Sequence, residues 1–272
     1  MSVRSARRRT IRPGYSCVAF EQGAIVNDPS QQLQSTLDRF FAEQPRRIKV
    51  LEAGCGSLSN VRLSSDAHIV GIDVSAEALA QNTTIHERIQ ADLETAPLGD
   101  SEYDLIVCMD VLEHLANPRN VVGKFLKAIK PDGLVVLAFP NVLSVKGLVA
   151  KYTPFRFHLF VHRLLYGAKT RAAAGYEVCP TYLRYSIAPR SLAEFAIHRG
   201  FDVVLCFIYE SGMQRRLRER FGLAGNRWTL AQRVVRLLSM GSISATCSDC
   251  VLVLRQGRFS PGLNMNSDPR QV

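Results

Sequence analysis

Several things are scarce in this 272-residue chain, and each scarcity excludes something. No apolar run is long enough to span a bilayer, and none near the start reads as a secretory core, so a membrane-spanning or exported protein is not expected. The seven cysteines are scattered, and the only close pair is Cys247-Ser248-Asp249-Cys250. That pair opens a strand-like run ending at Leu254, so buried thiols in a reduced, cytoplasmic protein are the better reading than a redox or zinc site. No nucleic-acid-binding module is appended, and no Asn/Asp-Pro-Pro-Tyr stretch follows the fourth strand-like run. Acid is short outside the middle of the chain. From Ile48 to Phe139 seven Lys/Arg face thirteen Asp/Glu, a net of −6, whereas Pro140–Val178 carries six against one and Ser211–Ala245 seven against one. The overall +10 is therefore spread unevenly, with an acidic core flanked by two basic insertions. The first thirteen residues hold five arginines and no acid, and read as a disordered basic tail. They lack the amphipathic periodicity of a transit peptide.

What is present begins with Val50-Leu51-Glu52-Ala53-Gly54-Cys55-Gly56, an apolar strand that breaks into two closely spaced glycines. Glycine can enter φ > 0 and lets a flat ligand lie on main chain. The next apolar run, Ile69-Val70-Gly71-Ile72, ends on Asp73, where an acid can accept the hydroxyls of a ribose. A dinucleotide fingerprint needs a third glycine, but Gly54-Cys55-Gly56-Ser57-Leu58 is followed by Ser59. Glu52 would repel a pyrophosphate and welcome a cationic amino group. S-adenosylmethionine has a ribose, an adenine, an amino group and no phosphate. A helix starting at Ser75 offers Asp73 an alternative role as an N-terminal cap.

The pattern continues with Ala91-Asp92-Leu93 after a short third strand over 84–90. Asp92 is placed to meet an adenine amino group, or to serve as an ordinary turn aspartate. Tyr103–Cys108 reads as a buried parallel strand emptying into Met109-Asp110-Val111-Leu112-Glu113-His114. Lys130-Pro131-Asp132-Gly133 predicts a turn, and Leu134–Phe139 a fifth strand. Then come a helix after Pro189 stopped by Gly200 and strands over Phe201–Tyr209 and Cys247–Leu254.

These elements, in this order, resemble the class I S-adenosylmethionine-dependent methyltransferases. The resemblance implies a Rossmann-like, doubly wound, mostly parallel seven-stranded α/β sheet whose last strand is antiparallel. It implies a cofactor site drawn from Glu52, Ala53, Gly54, Cys55, Gly56, Asp73, Val74, Asp92, Leu93 and Met109. On this reading residues 1–47 are a basic tail and leading helix, and 48–255 are the catalytic domain. Insertions at 142–178 and 211–245 lie near the active-site face, and 256–272 form a flexible tail.

The Asp110-x-x-Glu113-His114 stretch is similar to that of the quinone-pathway O-methyltransferases, in some of which an acid, Glu and His are linked to metal. If Asp110 opens a helical turn, Glu113 and His114 share its face. Asp110 and His114 are then the candidate catalytic residues, and Asp110, Glu113 and His114 candidate ligands of a divalent metal that would lower the pKa of a hydroxyl acceptor. The alternative is that Glu113 and His114 merely orient the loop, and the metal is the less favoured reading. The expected reaction is methyl transfer to a hydroxyl oxygen of a small or lipid-like acceptor. RNA or protein methylation, and a silent S-adenosylmethionine-binding regulator, are the alternatives; a nucleic-acid partner is not expected. Helices over 155–166 and 227–240 are amphipathic with basic faces. They read as a lid whose apolar side packs on the domain, or as peripheral membrane contacts.

Overall fold

The computed structural model describes residues 29–44, 46–59, 61–154, 156–157 and 181–257. The basic stretch 1–28, nearly all of the expected helix over 155–166 and the tail from residue 258 lie outside the described residues.

Near-continuous Val, Ile and Leu runs form β1 (Lys49–Ala53), β2 (His68–Asp73), β4 (Tyr103–Met109) and β5 (Ile129–Pro140), with the short β3 (Glu87–Gln90) at one edge. These five are parallel. β7 (Asp249–Gln256) inserts antiparallel between β5 and β6 (Phe201–Tyr209), giving the order β3-β2-β1-β4-β5-β7-β6. Successive side chains on a strand face opposite ways, so each strand feeds two cores. Val50 joins one core with Leu33, Leu37 and Phe40 of helix α1 (Pro29–Ala42) and Leu79 of α2 (Ala76–Gln81). Leu51 joins the other with Val121, Val122 and Phe125 of α3 (Pro118–Ala128) and Leu192 and Ala196 of α5 (Pro189–Ile197). Helices therefore cover both faces, and all five parallel strands occur in the expected order, with β3 shorter than the expected 84–90.

Two elements differ. Lys130–Gly133 does not separate a helix from a strand as a free turn. β5 starts at Ile129 and absorbs it as an irregularity opposite Tyr103 and Leu105, with Asp132 at φ +63°. Second, the basic stretch after β6 folds as two helices, α6 (Gly212–Arg220) and α7 (Gly225–Leu238), rather than one. Gly222 at φ +66° breaks them apart. The first basic insertion opens with α4 (Val145–Tyr152), capped by Ser144.

At the amino-terminal edge of the sheet Asp104 is buried but well partnered. It accepts from the Arg46 guanidinium, the Lys49 backbone N–H and the Lys130 ammonium. Those three donors hold its carboxyl below the usual range despite burial. The opposite, carboxyl-terminal edge is where the loops open.

Candidate active site

The glycine loop is folded back onto β2. The Gly54 and Cys55 N–H groups donate to the Ile72 carbonyl at 2.7 and 3.2 Å. Gly54 sits at φ +71° and Gly56 at φ +51°, the left-handed region that a side chain resists. The two glycines serve different ends. A Cβ on Gly54 would stand 2.3 Å from Val111 Cγ2, whereas one on Gly56 would meet nothing within 4 Å. Gly54 thus lets the loop after β4 pack against it, and Gly56 leaves a bare stretch of backbone.

Asp73 closes the turn: its Oδ2 accepts from Gly56 N–H and its Oδ1 from Ser75 N–H, each at 2.9 Å. Ser75, not Asp73, caps α2, its hydroxyl accepting from Ala78 N–H. Each carboxylate oxygen keeps a second lone pair. Asp92 lies at the end of the neighbouring strand, where Ala91 N–H donates to the Asp73 carbonyl. Asp92 is exposed, with one oxygen taking the Glu94 N–H at 2.8 Å, so the turn role is real. Leu93 points away into the core. Val74, beside Asp73, is exposed.

Glu52 is buried under the loop, and its Oε2 accepts from Ser59 Oγ at 2.6 Å. Burial raises its pKa, with the serine bond opposing. An arriving cation would offset that desolvation. Glu52, Ala53, Gly54, Cys55, Leu58, Ser59, Val107 and Met109 line an open cleft. Burial raises the Cys55 thiol to about 12, so it stays protonated and acts as filler against Gly71.

One residue in this region carried no signal in the sequence. Asn82 is fully buried at the end of α2, and its amide donates to the Cys55 and Gly56 carbonyls, each at 3.3 Å. Arg88 and Thr84 in turn fix Asn82. A lone asparagine ending a helix has no motif, so only the fold discloses it.

The family model of methyltransferase domains matches residues 27–205, which span every element described so far up to β6. The chain belongs to the class I S-adenosylmethionine-dependent methyltransferases. It is similar to the ubiquinone biosynthesis O-methyltransferase of Erwinia tasmaniensis, 35% identical over 112 residues, covering 38% of this chain and 46% of that protein. The Burkholderia thailandensis protein of the same name is 32% identical over 103 residues, 34% and 44% of the two chains. The chain therefore spans less than half the length of these relatives in the match. Among solved structures, the CurJ carbon methyltransferase superposes with a TM-score of 0.50 at 14% identity, over 84% of this chain and 54% of that one, a likeness of fold.

The residues present fit that family's cofactor: bare backbone at Gly56, a part-engaged acid at Asp73 and a buried carboxylate at Glu52 with no cationic partner among the described residues. The second half of the site lies after β4. Asp110 adopts φ +57°, and Leu112–His114 forms a 3-10 turn rather than the α-helical turn expected. Glu113 is buried, His114 is one-third exposed, and Glu113 Oε1 lies 4.0 Å from His114 Nε2. Among the described residues no three His, Cys, Asp or Glu side chains are grouped to hold a metal ion. The expected Asp110, Glu113 and His114 ligand set is therefore not assembled, and no step is derived through a metal.

A different polar cluster is assembled instead. Lys146 of α4 reaches Asp249 Oδ1 and Oδ2 at 3.0 and 2.9 Å and Ser211 Oγ at 3.1 Å. Ser248 Oγ donates to Asp249 as well. Asp249 opens β7 opposite Pro140 and Tyr209, the last residues of β5 and β6. Its charge adds to burial in raising both Asp110 and Tyr209. Solvent reaches Asp110, but it lies in a depression crowded by protein, which is the larger cause.

Glu113 is the most perturbed carboxyl here. Burial foremost, then Asp110, raise it to about 8, and its Oε2 has no hydrogen-bond partner. Between the unfolded value of 4.5 and about 8, the folded state holds a proton that the unfolded state releases. Stability therefore falls as pH rises through that window. Glu113→Gln is expected to flatten the fall in melting temperature between pH 5 and 8; a parent and variant with parallel pH profiles would contradict this placement.

Proposed function

We propose that this chain transfers a methyl group from S-adenosylmethionine to a hydroxyl oxygen of a small or lipid-like acceptor. The observation that carries the cofactor half is the Gly56–Asp73 closure, which leaves backbone bare beside an acid with lone pairs to spare. The acceptor half rests on Asp110, at the cleft mouth with a raised pKa, next to His114. A carboxylate moved toward neutrality is a better proton acceptor than an ordinary one. The likeness to two proteins named ubiquinone biosynthesis O-methyltransferase favours oxygen as the nucleophile.

When bound, S-adenosylmethionine would supply an electrophilic methyl on its sulfonium, which the acceptor oxygen would take in line as the carbon–sulfur bond breaks and S-adenosylhomocysteine leaves. Glu52 would accept from the ammonium of the cofactor, and Asp73 from its ribose hydroxyls. Asp110 holds the acceptor hydroxyl and takes its proton, with His114 able to pass that proton to solvent. The Lys146–Asp249 pair keeps one wall of the acceptor site polar and fixed. Binding the acceptor in line supplies most of the rate, since methyl transfer needs position more than acid–base work.

The test is a melting-temperature series with S-adenosylmethionine, S-adenosylhomocysteine and NAD, followed by a screen of phenolic, glycan and lipid hydroxyl acceptors by release of S-adenosylhomocysteine. The two sulfur ligands are expected to raise the melting temperature by several degrees and NAD to leave it unchanged. A shift with NAD alone would overturn the cofactor reading. Product appearing only with amine or RNA acceptors would overturn the oxygen reading.

A further inference from the structure

Helix α7 turns an apolar ridge away from the protein. Trp228, Ala231, Gln232 and Val235 are its half-buried side, with Gln232 Nε2 bonded to Thr246 Oγ1 at 2.6 Å and Trp228 beneath the Arg218 guanidinium. Val234 and Leu238 do not pack inward with them. Leu230, Val234, Leu237 and Leu238 line the adjoining outer side within an arc of about 100°. Leu237 and Leu238 are each 80% exposed, and Met240, just past the helix, is 93% exposed. Phe221, in the break between α6 and α7, is exposed as well. A single exposed leucine needs no explanation, but a continuous ridge of long side chains at one face does.

The charges around the ridge are of one sign. Arg227 stands at its amino-terminal end and Arg233 beside it, Arg236 lies further round the helix, and Arg216 and Arg220 of α6 are exposed as well. The lone acid between Ser211 and Ala245 is Glu219, and Glu210 before α6 is taken up by Arg218 at 2.7 and 3.1 Å. Leucine and methionine in the middle with arginines at the sides is the arrangement of a helix lying in a lipid headgroup layer, where the stems enter the acyl boundary and the guanidinium groups meet phosphates. A protein partner would not need every flanking charge to be positive, and a polyanion alone would not need the leucines.

We propose that the outer face of α7, with the α6–α7 break, seats peripherally on an anionic phospholipid bilayer. Because α6 and α7 are inserted between β6 and β7, this face stands at the sheet edge that carries Asp110 and Asp249. A lipid-like acceptor would then reach the site from the layer on which the protein rests. The surface itself does not depend on the acceptor reading.

The experiment uses the full chain and sedimenting vesicles of phosphatidylcholine, with or without one-third phosphatidylglycerol. At low salt, binding to the anionic vesicles is expected to exceed that to neutral ones by about tenfold or more, and to weaken as salt is raised. The double variant Leu237→Glu, Leu238→Glu, at exposed positions that leave folding intact by circular dichroism, is expected to lose about tenfold. No binding to anionic vesicles at low salt would overturn the proposal. So would a double variant that binds like the parent, which would mark a contact through arginines alone. A concentration-dependent dimer in centrifugation, abolished by Leu238→Glu while vesicle binding is nil, would assign the ridge to a second copy instead.

Discussion

Asp73→Ala is expected to weaken S-adenosylmethionine binding by at least about a hundredfold and to erase the ligand-induced rise in melting temperature. The carboxylate has two tasks at once. It holds Gly56 N–H and Ser75 N–H, and so fixes the loop that bears the cofactor. Its remaining lone pairs are the proposed ribose acceptors. A hydrogen bond to a charged group is worth roughly 1.5–3 kcal/mol, so losing two would reduce affinity more than a hundredfold even before the loop loosens. Asp73→Asn separates the tasks, because its single carbonyl oxygen can still accept from one backbone N–H while the charge is gone. Its affinity should fall between parent and alanine. Isothermal titration calorimetry reads both. A dissociation constant for Asp73→Ala within threefold of the parent would remove Asp73 from the site.

Gly54→Ala should be the most destabilising change of one methyl group in the glycine loop. Two costs add: φ of +71° for a residue with Cβ, and a 2.3 Å approach to Val111 Cγ2. The first is roughly 1–2 kcal/mol and the second typically about 1–3 kcal/mol. Together they predict a fall in melting temperature of about 5–15 °C for a domain of this size. Gly56→Ala carries the first cost alone, because its Cβ would meet nothing within 4 Å. Adding Val111→Ala to Gly54→Ala should return the packing part and leave the backbone part, a coupling that a double-mutant cycle in urea would measure. Equal losses at Gly54 and Gly56, or no coupling to Val111, would show that the loop after β4 does not lean on Gly54.

The half of the protein that binds cofactor was readable because its signals are local. Each inner strand is an unbroken apolar run, Gly54 and Gly56 stand two apart, and Asp73 ends the strand beside them. The acceptor half was not readable, because its partners are remote or its geometry ambiguous. Lys146 and Asp249 are separated by 103 positions, and no spacing rule joins a helix residue to the first residue of a distant strand. The helical turn expected to run from Asp110 through Glu113 and His114 is instead a 3-10 turn over Leu112–His114 preceded by a left-handed Asp110, and nothing in their spelling distinguishes 3.0 from 3.6 residues per turn. For α7 the apolar periodicity was correct, but a helix with apolar residues around about half its girth does not say which part of that side meets the protein. Asn82 illustrates the same limit in the cofactor half, where a buried amide that fixes two carbonyls looks in sequence like any helix end.

The antiparallel entry of β7 between β5 and β6 has a consequence for the order in which the ribosome delivers this protein. Everything that forms the glycine loop, Asp73 and Met109 is encoded before residue 110, so the nucleoside half can assemble while the remainder is still being made. β5 and β6, by contrast, each present an unpaired edge until residues 249–256 emerge and zip between them. Open edges of that kind invite wrong pairing. Asp249 arrives on the same strand that pairs those two edges, so the polar wall of the proposed acceptor site appears only in a molecule whose seven strands are all in place. A chain stalled short of that strand would retain a place for cofactor and nothing to present a substrate to it.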